Sequence, residues 1–132
     1  MQRIVIDTNI VISAALSPYG NPAKIINLIS DSEELQVYFC PEILAEYKEV
    51  LSRERLNIAA AKQNSIMDTI KAVGKLIEPQ ISEMPLPDES DRVFYDTAIE
   101  SGAILITGNT KHYPTEDFIM TPAQFLAFVE SQ

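Results

Sequence analysis

Two short apolar runs set the limits on what this chain can become. Residues 3–6 read Arg-Ile-Val-Ile and residues 103–107 read Ala-Ile-Leu-Ile-Thr, with almost nothing polar inside either. A strand exposed on one face alternates apolar and polar side chains, so a strand without alternation must be covered on both faces. Two such strands, separated by helical segments, call for an α/β domain with a mainly parallel sheet and helices packed on both sides.

The intervening sequence agrees. Residues 9–16 predict a helix stopped by Ser17-Pro18-Tyr19-Gly20, and Asn21-Pro22 then offers a cap and a first-turn proline for a helix to about Ser30. Residues 36–39 form a strand candidate. Pro41 opens the helix "PEILAEYKEVLSRE", whose Ile43, Leu44, Tyr47, Val50 and Leu51 make one apolar stripe. Residues 57–76 are expected to be mostly helical, with Ile66, Ile70 and Val73 in register. "EPQISEMPLPDES", at 78–90, reads as an extended loop because of its prolines. Ser90 is expected to cap a helix from near Asp91 to Ser101, ended by Gly102. "GNTKHYP" is a loop, 118–120 a short strand, and Thr121-Pro122 opens a last helix.

The 132 residues suit a single domain with a real hydrophobic core. No apolar run approaches the roughly 20 residues of a membrane span, and no secretion signal is visible at the start. A cytoplasmic protein is therefore the expectation. Cys40 is the sole cysteine and His112 the sole histidine, which excludes an internal disulfide and disfavours zinc. The net charge of −9 argues against tight non-specific nucleic-acid binding, which rests on Lys and Arg neutralising phosphates. It leaves room for an acidic site that recruits a divalent cation, and for a basic partner.

Acidic side chains stand where such a sheet gathers ligands, beyond the carboxyl ends of its strands. Asp7 directly follows the first apolar run, and Asn109 follows the second after Thr107-Gly108. Asp91, with Asp88 and Glu89 before it, opens the helix leading into the second run. Each has a bland reading: Asp7 as a helix cap, Asp91 as a complement to the helix dipole, Glu46 as part of a solvated edge, and Asn109 as a turn residue. Taken together, the oxygens of Asp7, Asp91 and Asn109 are expected to converge at one sheet edge. Oxygen ligands without a His or Cys cluster point to a hard cation, magnesium or manganese, and closely placed carboxylates repel unless one is bound.

"IVIDTNIVISAAL", "PEILAEYKEVL", "PDESDRVFYDTAIESGAILITGNTKHYP" and "TPAQFL", in that order along almost the whole chain, resemble a PIN domain. The nearest group is the VapC-type toxin components of toxin–antitoxin systems. The resemblance implies a Rossmann-like three-layer α/β/α fold with a short, mainly parallel sheet, and metal-dependent endoribonuclease activity. It carries the first conserved aspartate onto Asp7, the mid-chain helix glutamate onto Glu46 and the third acid onto Asp91. Asn109 stands where many members have a fourth acid; its amide oxygen can bind metal, but the site loses a charge.

The resulting expectation is hydrolysis of RNA phosphodiester bonds by metal-activated water, leaving 5′-phosphate and 3′-hydroxyl ends. Asp7, Asp91 and Asn109 would hold one magnesium or manganese ion, with Glu46 binding a second or positioning water. Thr8, Asn9, Asp88 and Thr107 are expected to orient these ligands, and Arg92, Lys111 and His112 are candidates for RNA contact. Asp96 is expected to be structural. A cognate antitoxin and homodimerisation follow from the same resemblance. The rival within the fold is a catalytically weak or inactive partner-binding module, favoured by the net charge and by Asn109. A haloacid-dehalogenase-type phosphatase wants a second Asp two residues after the first, and Asn9 occupies that position.

Overall fold

The computed structural model describes residues 2–132. Among these, β1 (Gln2–Ile6), β2 (Leu35–Phe39), β3 (Gly74–Leu76), β4 (Ile104–Ile106) and β5 (Ile119–Met120) form one sheet. Their order is β3-β2-β1-β4-β5, and every neighbouring pair is parallel. The helices are α1 (Thr8–Leu16), α2 (Asn21–Asp31), α3 (Pro41–Leu51), α4 (Ala60–Val73), α5 (Arg92–Ser101) and α6 (Pro122–Glu130).

The apolar runs occupy the centre of the sheet, as their patterning requires. Ile4 pairs with Val37 on one side and Ile104 on the other. Ile4, Val5 and Ile6 are all fully buried. Consecutive strand residues face opposite ways, so both faces of β1 are covered. Helix α5 packs against β1, β2 and β4, while α2 and α4 pack against β2.

The chain lays down β1, β2 and β3 toward one edge, then returns through α5 to place β4 on the other side of β1. That reversal makes the gap between β1 and β4 the topological switch point, and ligand sites form beyond the strand ends there. Asp7 and Thr107 are the first residues past those two ends.

Several local expectations change. The helix expected over 57–76 covers only Ala60–Val73, and Gly74 starts an edge strand. A Cβ on Gly74 would meet Phe39 Cε2 at 1.9 Å and the Ile70 carbonyl oxygen at 2.7 Å, so glycine is what lets β3 approach β2. The helix from Pro41 ends at Leu51 rather than Glu54, and Glu54–Leu56 form a separate 3-10 turn. Gly20, not Asn21, caps α2; Pro22 fits because the first-turn N–H groups have no partner within the helix. Ser90 does not cap α5. Instead Asp88 caps a 3-10 turn, Glu89–Asp91, with Oδ1 accepting from both Ser90 N and Ser90 Oγ at 2.9 Å. Gly102 ends α5 in the left-handed region at φ 64°, and Thr121 with Gln124 forms a reciprocal capping box on α6.

Residues 77–88 carry no regular element, yet they are strapped to α5. Arg92 donates to Ser82 O at 2.7 Å, Ser82 Oγ at 2.9 Å and Met84 O at 2.7 Å. Asp96 is buried and its Oδ2 accepts from Ser82 N at 3.0 Å, tying the same segment to α5.

Candidate active site

The end of β1 delivers Asp7 into the crevice beside β4, and the residues around it converge on its carboxylate. Oδ1 accepts from the backbone N–H of Thr8 at 2.8 Å, capping α1. Oδ2 accepts from Thr107 Oγ1 at 2.8 Å and from Tyr113 Oη at 3.0 Å, with Asn9 Nδ2 at 3.5 Å. Only 5% of Asp7 is exposed. Burial pushes its pKa up from the ordinary carboxylate value, while the bonds from Thr107, Tyr113 and Thr8 pull it back.

Asn9 ties the two strand ends together. Its amide reaches Thr107 Oγ1 at 3.4 Å, and its oxygen accepts from Gly108 N at 2.9 Å. Thr107 Oγ1 also accepts from Asn109 N at 3.0 Å. The β4 end is therefore held against the start of α1 by side chains expected to orient the ligands. Asn109 itself is exposed and joins this network through its backbone.

Glu46 arrives from α3. Tyr47 is fully buried and donates to the Ile6 carbonyl oxygen, anchoring α3 at the end of β1. Glu46, the preceding residue, then accepts a hydrogen bond from Thr8 Oγ1. Thr8 thus links Asp7, through its backbone, to Glu46, through its hydroxyl.

Asp91 stands at the start of α5. The charge of Asp7 and, above all, burial raise its pKa from 3.8 to about 6, opposed by His112. Its Oδ2 is buried without a hydrogen-bond partner among the described residues. His112 Nδ1 lies 3.2 Å away and forms an ion pair when protonated. Burial and, after it, the charges of Asp7, Asp91 and Glu46 push up the pKa of Tyr113. Asp7 is bonded to Tyr113, Glu46 is linked to Asp7 through Thr8, and Asp91 pairs with His112, the residue before Tyr113. No three His, Cys, Asp or Glu side chains among the described residues close into a metal-holding group.

The other expected residues separate. Arg92 does not reach outward: beyond its bonds to Ser82 and Met84 it holds Glu89 through Nε and Nη2, both at 2.7 Å. Its guanidinium is consumed by the strap. Asp88 is exposed and engaged with Ser90, and Lys111 is exposed beside the site. Sequence reasoning missed Tyr47 and Tyr113 as polar elements. For Tyr47 the signal was available, because a tyrosine buried in a helix stripe needs a partner for its hydroxyl. For Tyr113, inside an irregular loop, no periodicity pointed to its partner.

The model of the PIN domain family matches residues 3–111. The chain belongs to the PIN domain family. An uncharacterized protein of Methanocaldococcus jannaschii, MJ1680, is 36% identical over 110 residues, covering 81% of this chain and 70% of the relative. The solved structure of PAE2754 from Pyrobaculum aerophilum superposes with a TM-score of 0.65 at 17% identity, covering 99% of this chain and 91% of that one. VapBC2 from Rickettsia felis, solved bound to a DNA fragment from its promoter, gives 0.57 at 16% identity, covering 91% and 97%. At these identities the two structures establish the fold, a five-stranded parallel sheet with helices on both sides, as the PIN-like expectation required. PIN domains are generally nucleases and generally use divalent metal ions.

The residues present fit such an ion. Asp91 Oδ2 is a buried carboxylate oxygen with only the His112 imidazole, 3.2 Å away, to meet its charge, and burial with the charge of Asp7 makes its ionisation costly. A divalent cation satisfies the first and offsets the second. Magnesium is commonly held by one or two carboxylates with the remaining positions filled by water, which suits this pair.

Proposed function

We propose that this PIN domain is a magnesium- or manganese-dependent endoribonuclease and the toxin of a toxin–antitoxin pair. The observation that carries the reading is Asp7 at the β1–β4 switch point, bonded to Tyr113 and linked through Thr8 to Glu46, with Asp91 paired to the neighbouring His112. Asp7 and Asp91 would hold the cation, Asn109 would add its amide oxygen, and Glu46 would orient the attacking water. When bound, the metal supplies a lowered water pKa and charge stabilisation on the scissile phosphate. Asp7 is held in place by Thr107, Tyr113 and Thr8, whose hydrogen bonds oppose the rise in its pKa that burial causes. Thr8 fixes Glu46 at a set distance from Asp7. Exposed Lys111 and half-exposed His112 are placed to meet the RNA backbone, a role Arg92 does not share. The VapBC2 likeness supports an antitoxin as the partner, and a basic segment of it would complement the net charge of −9. A homodimer working in the cytoplasm completes the proposal; no described helix is long and apolar enough to cross a membrane.

The absence of a three-acid group among the described residues favours a second reading, a PIN fold that binds partners and cleaves weakly. One experiment separates the two. The purified chain is incubated with single-stranded RNA and millimolar manganese, beside Asp7→Asn. The nuclease reading expects cleavage that is lost on chelation and falls at least about a hundredfold in the variant. Undiminished cleavage by Asp7→Asn refutes it, and no cleavage by either chain selects the binding module.

A further inference from the structure

We infer that Tyr113 is a positioning residue that fixes the Asp7 carboxylate for metal binding, leaving Oδ1 as the oxygen free to take the cation. The inference rests on Asp7 being a cation ligand, as proposed above.

Each carboxylate oxygen has two acceptor positions. At Oδ2 both are filled, by Thr107 Oγ1 at 2.8 Å and Tyr113 Oη at 3.0 Å, with Asn9 close behind. At Oδ1 only Thr8 N is bound, so one position remains. The division favours coordination through a single oxygen and prevents the carboxylate from turning to offer both.

Of the donors on Oδ2, Tyr113 is the one whose hydroxyl has nowhere else to go. Its side chain is 95% buried, and burial with the charges of Asp7, Asp91 and Glu46 keeps the phenol protonated at any ordinary pH. Thr107 Oγ1 donates to Asp7 and also accepts from Asn109 N and Asn9 Nδ2, whereas among the described residues the Tyr113 hydroxyl has Asp7 as its sole partner. Tyr113 also lies beyond the residues 3–111 matched by the family model, so the match assigns it nothing. Its backbone is set by the 3-10 turn Thr110–His112, where Tyr113 N donates to Thr110 O at 3.1 Å.

Partners that orient a metal ligand from behind are worth about ten- to a hundredfold in metal affinity. The test is calorimetric titration of chelator-stripped chain with manganese alone, for wild type, Asp7→Asn and Tyr113→Phe. Phenylalanine keeps the ring that fills the wall of the site, and near-ultraviolet circular dichroism reports whether the packing survives. The expected result is manganese affinity about tenfold weaker in Tyr113→Phe, with RNA cleavage recovering at saturating manganese. A residue that merely supports the fold would move the unfolding midpoint and leave the affinity alone. Unchanged affinity in folded Tyr113→Phe, alongside lost affinity in Asp7→Asn, overturns the role of Tyr113 and leaves the nuclease reading standing. Absence of any Asp7-dependent manganese site in wild type overturns both. Should Tyr113→Phe not pack, Tyr113→Leu is titrated in its place: weakened manganese affinity in the folded variant supports the claim, and unchanged affinity overturns it.

Discussion

Replacing Asp91 by asparagine should make the metal-free protein more stable while removing its response to metal. Asp91 has a pKa of about 6 in the fold against 3.8 for an unperturbed aspartate, which is the free-energy difference between keeping it charged in the two states. At about 1.4 kcal/mol per unit the shift amounts to about 3 kcal/mol against the ionised fold at neutral pH. The side chain is 14% exposed, so partial screening brings the expectation to about 1–2 kcal/mol. The sign follows from proton linkage: the fold binds the proton more tightly than the unfolded chain, so the penalty is absent below pH 3.8. It grows as pH rises and is complete above about 6. Asp7, also raised by burial, acts in the same direction. Urea unfolding in the presence of a chelator at about pH 7.5 should therefore show Asp91→Asn more stable by about 1–2 kcal/mol, with the advantage shrinking toward pH 5. Millimolar manganese should stabilise wild type and leave the variant unmoved. A variant that is equally or less stable than wild type in chelator at neutral pH would refute the account of Asp91 as a carboxylate that burial makes costly to ionise.

Two further outcomes test the scaffold. Gly74→Ala puts a methyl group into the Phe39 ring and the Ile70 carbonyl, so β3 must separate from β2. The expected loss is about 2–4 kcal/mol by thermal or urea unfolding. Arg92→Ala removes the strap on 77–88, and limited proteolysis should then cut within that segment. The salt dependence of RNA binding should stay as in wild type; a flatter dependence would return Arg92 to the RNA-contacting set.

The central strands were legible because burial on both faces leaves no room for alternation, and Ile4–Ile6 and Ile104–Ile106 show none. The α6 cap was legible because Thr121 and Gln124 form a local motif. β3 was not, since three residues containing a glycine and a lysine acquire strand geometry only by pairing with β2. The same division runs through the site. The positions of Asp7 and Thr107 at strand ends follow from the pattern, whereas the bonds that join Thr107 to Asp7 and Asn9 span about a hundred residues of sequence and appear only in the fold. Arg92 was misplaced because its partners are backbone carbonyls of a loop that sequence cannot fold. Ser90 was misplaced because Asp88 competes for the same capping role and takes it.

The two readings of Asp7 turn out to be compatible, and their combination carries information. Its Oδ1 does cap α1 through Thr8 N. Serine, threonine or asparagine would cap as well, without the cost of an ionisable group that is 95% buried. Nor does capping account for Oδ2, where Thr107 and Tyr113 arrive from the far side of the β1–β4 crevice. Donors gathered on a buried carboxylate favour its charged form, and Asp91, a few side chains away, bears the electrostatic consequence. A chain that only needed a helix start at this point would gain by neutralising both residues. If the proposed site is right, ionising both is destabilising until a cation offsets their charges, so stability in chelator, rather than activity alone, is the sharper test of that proposal.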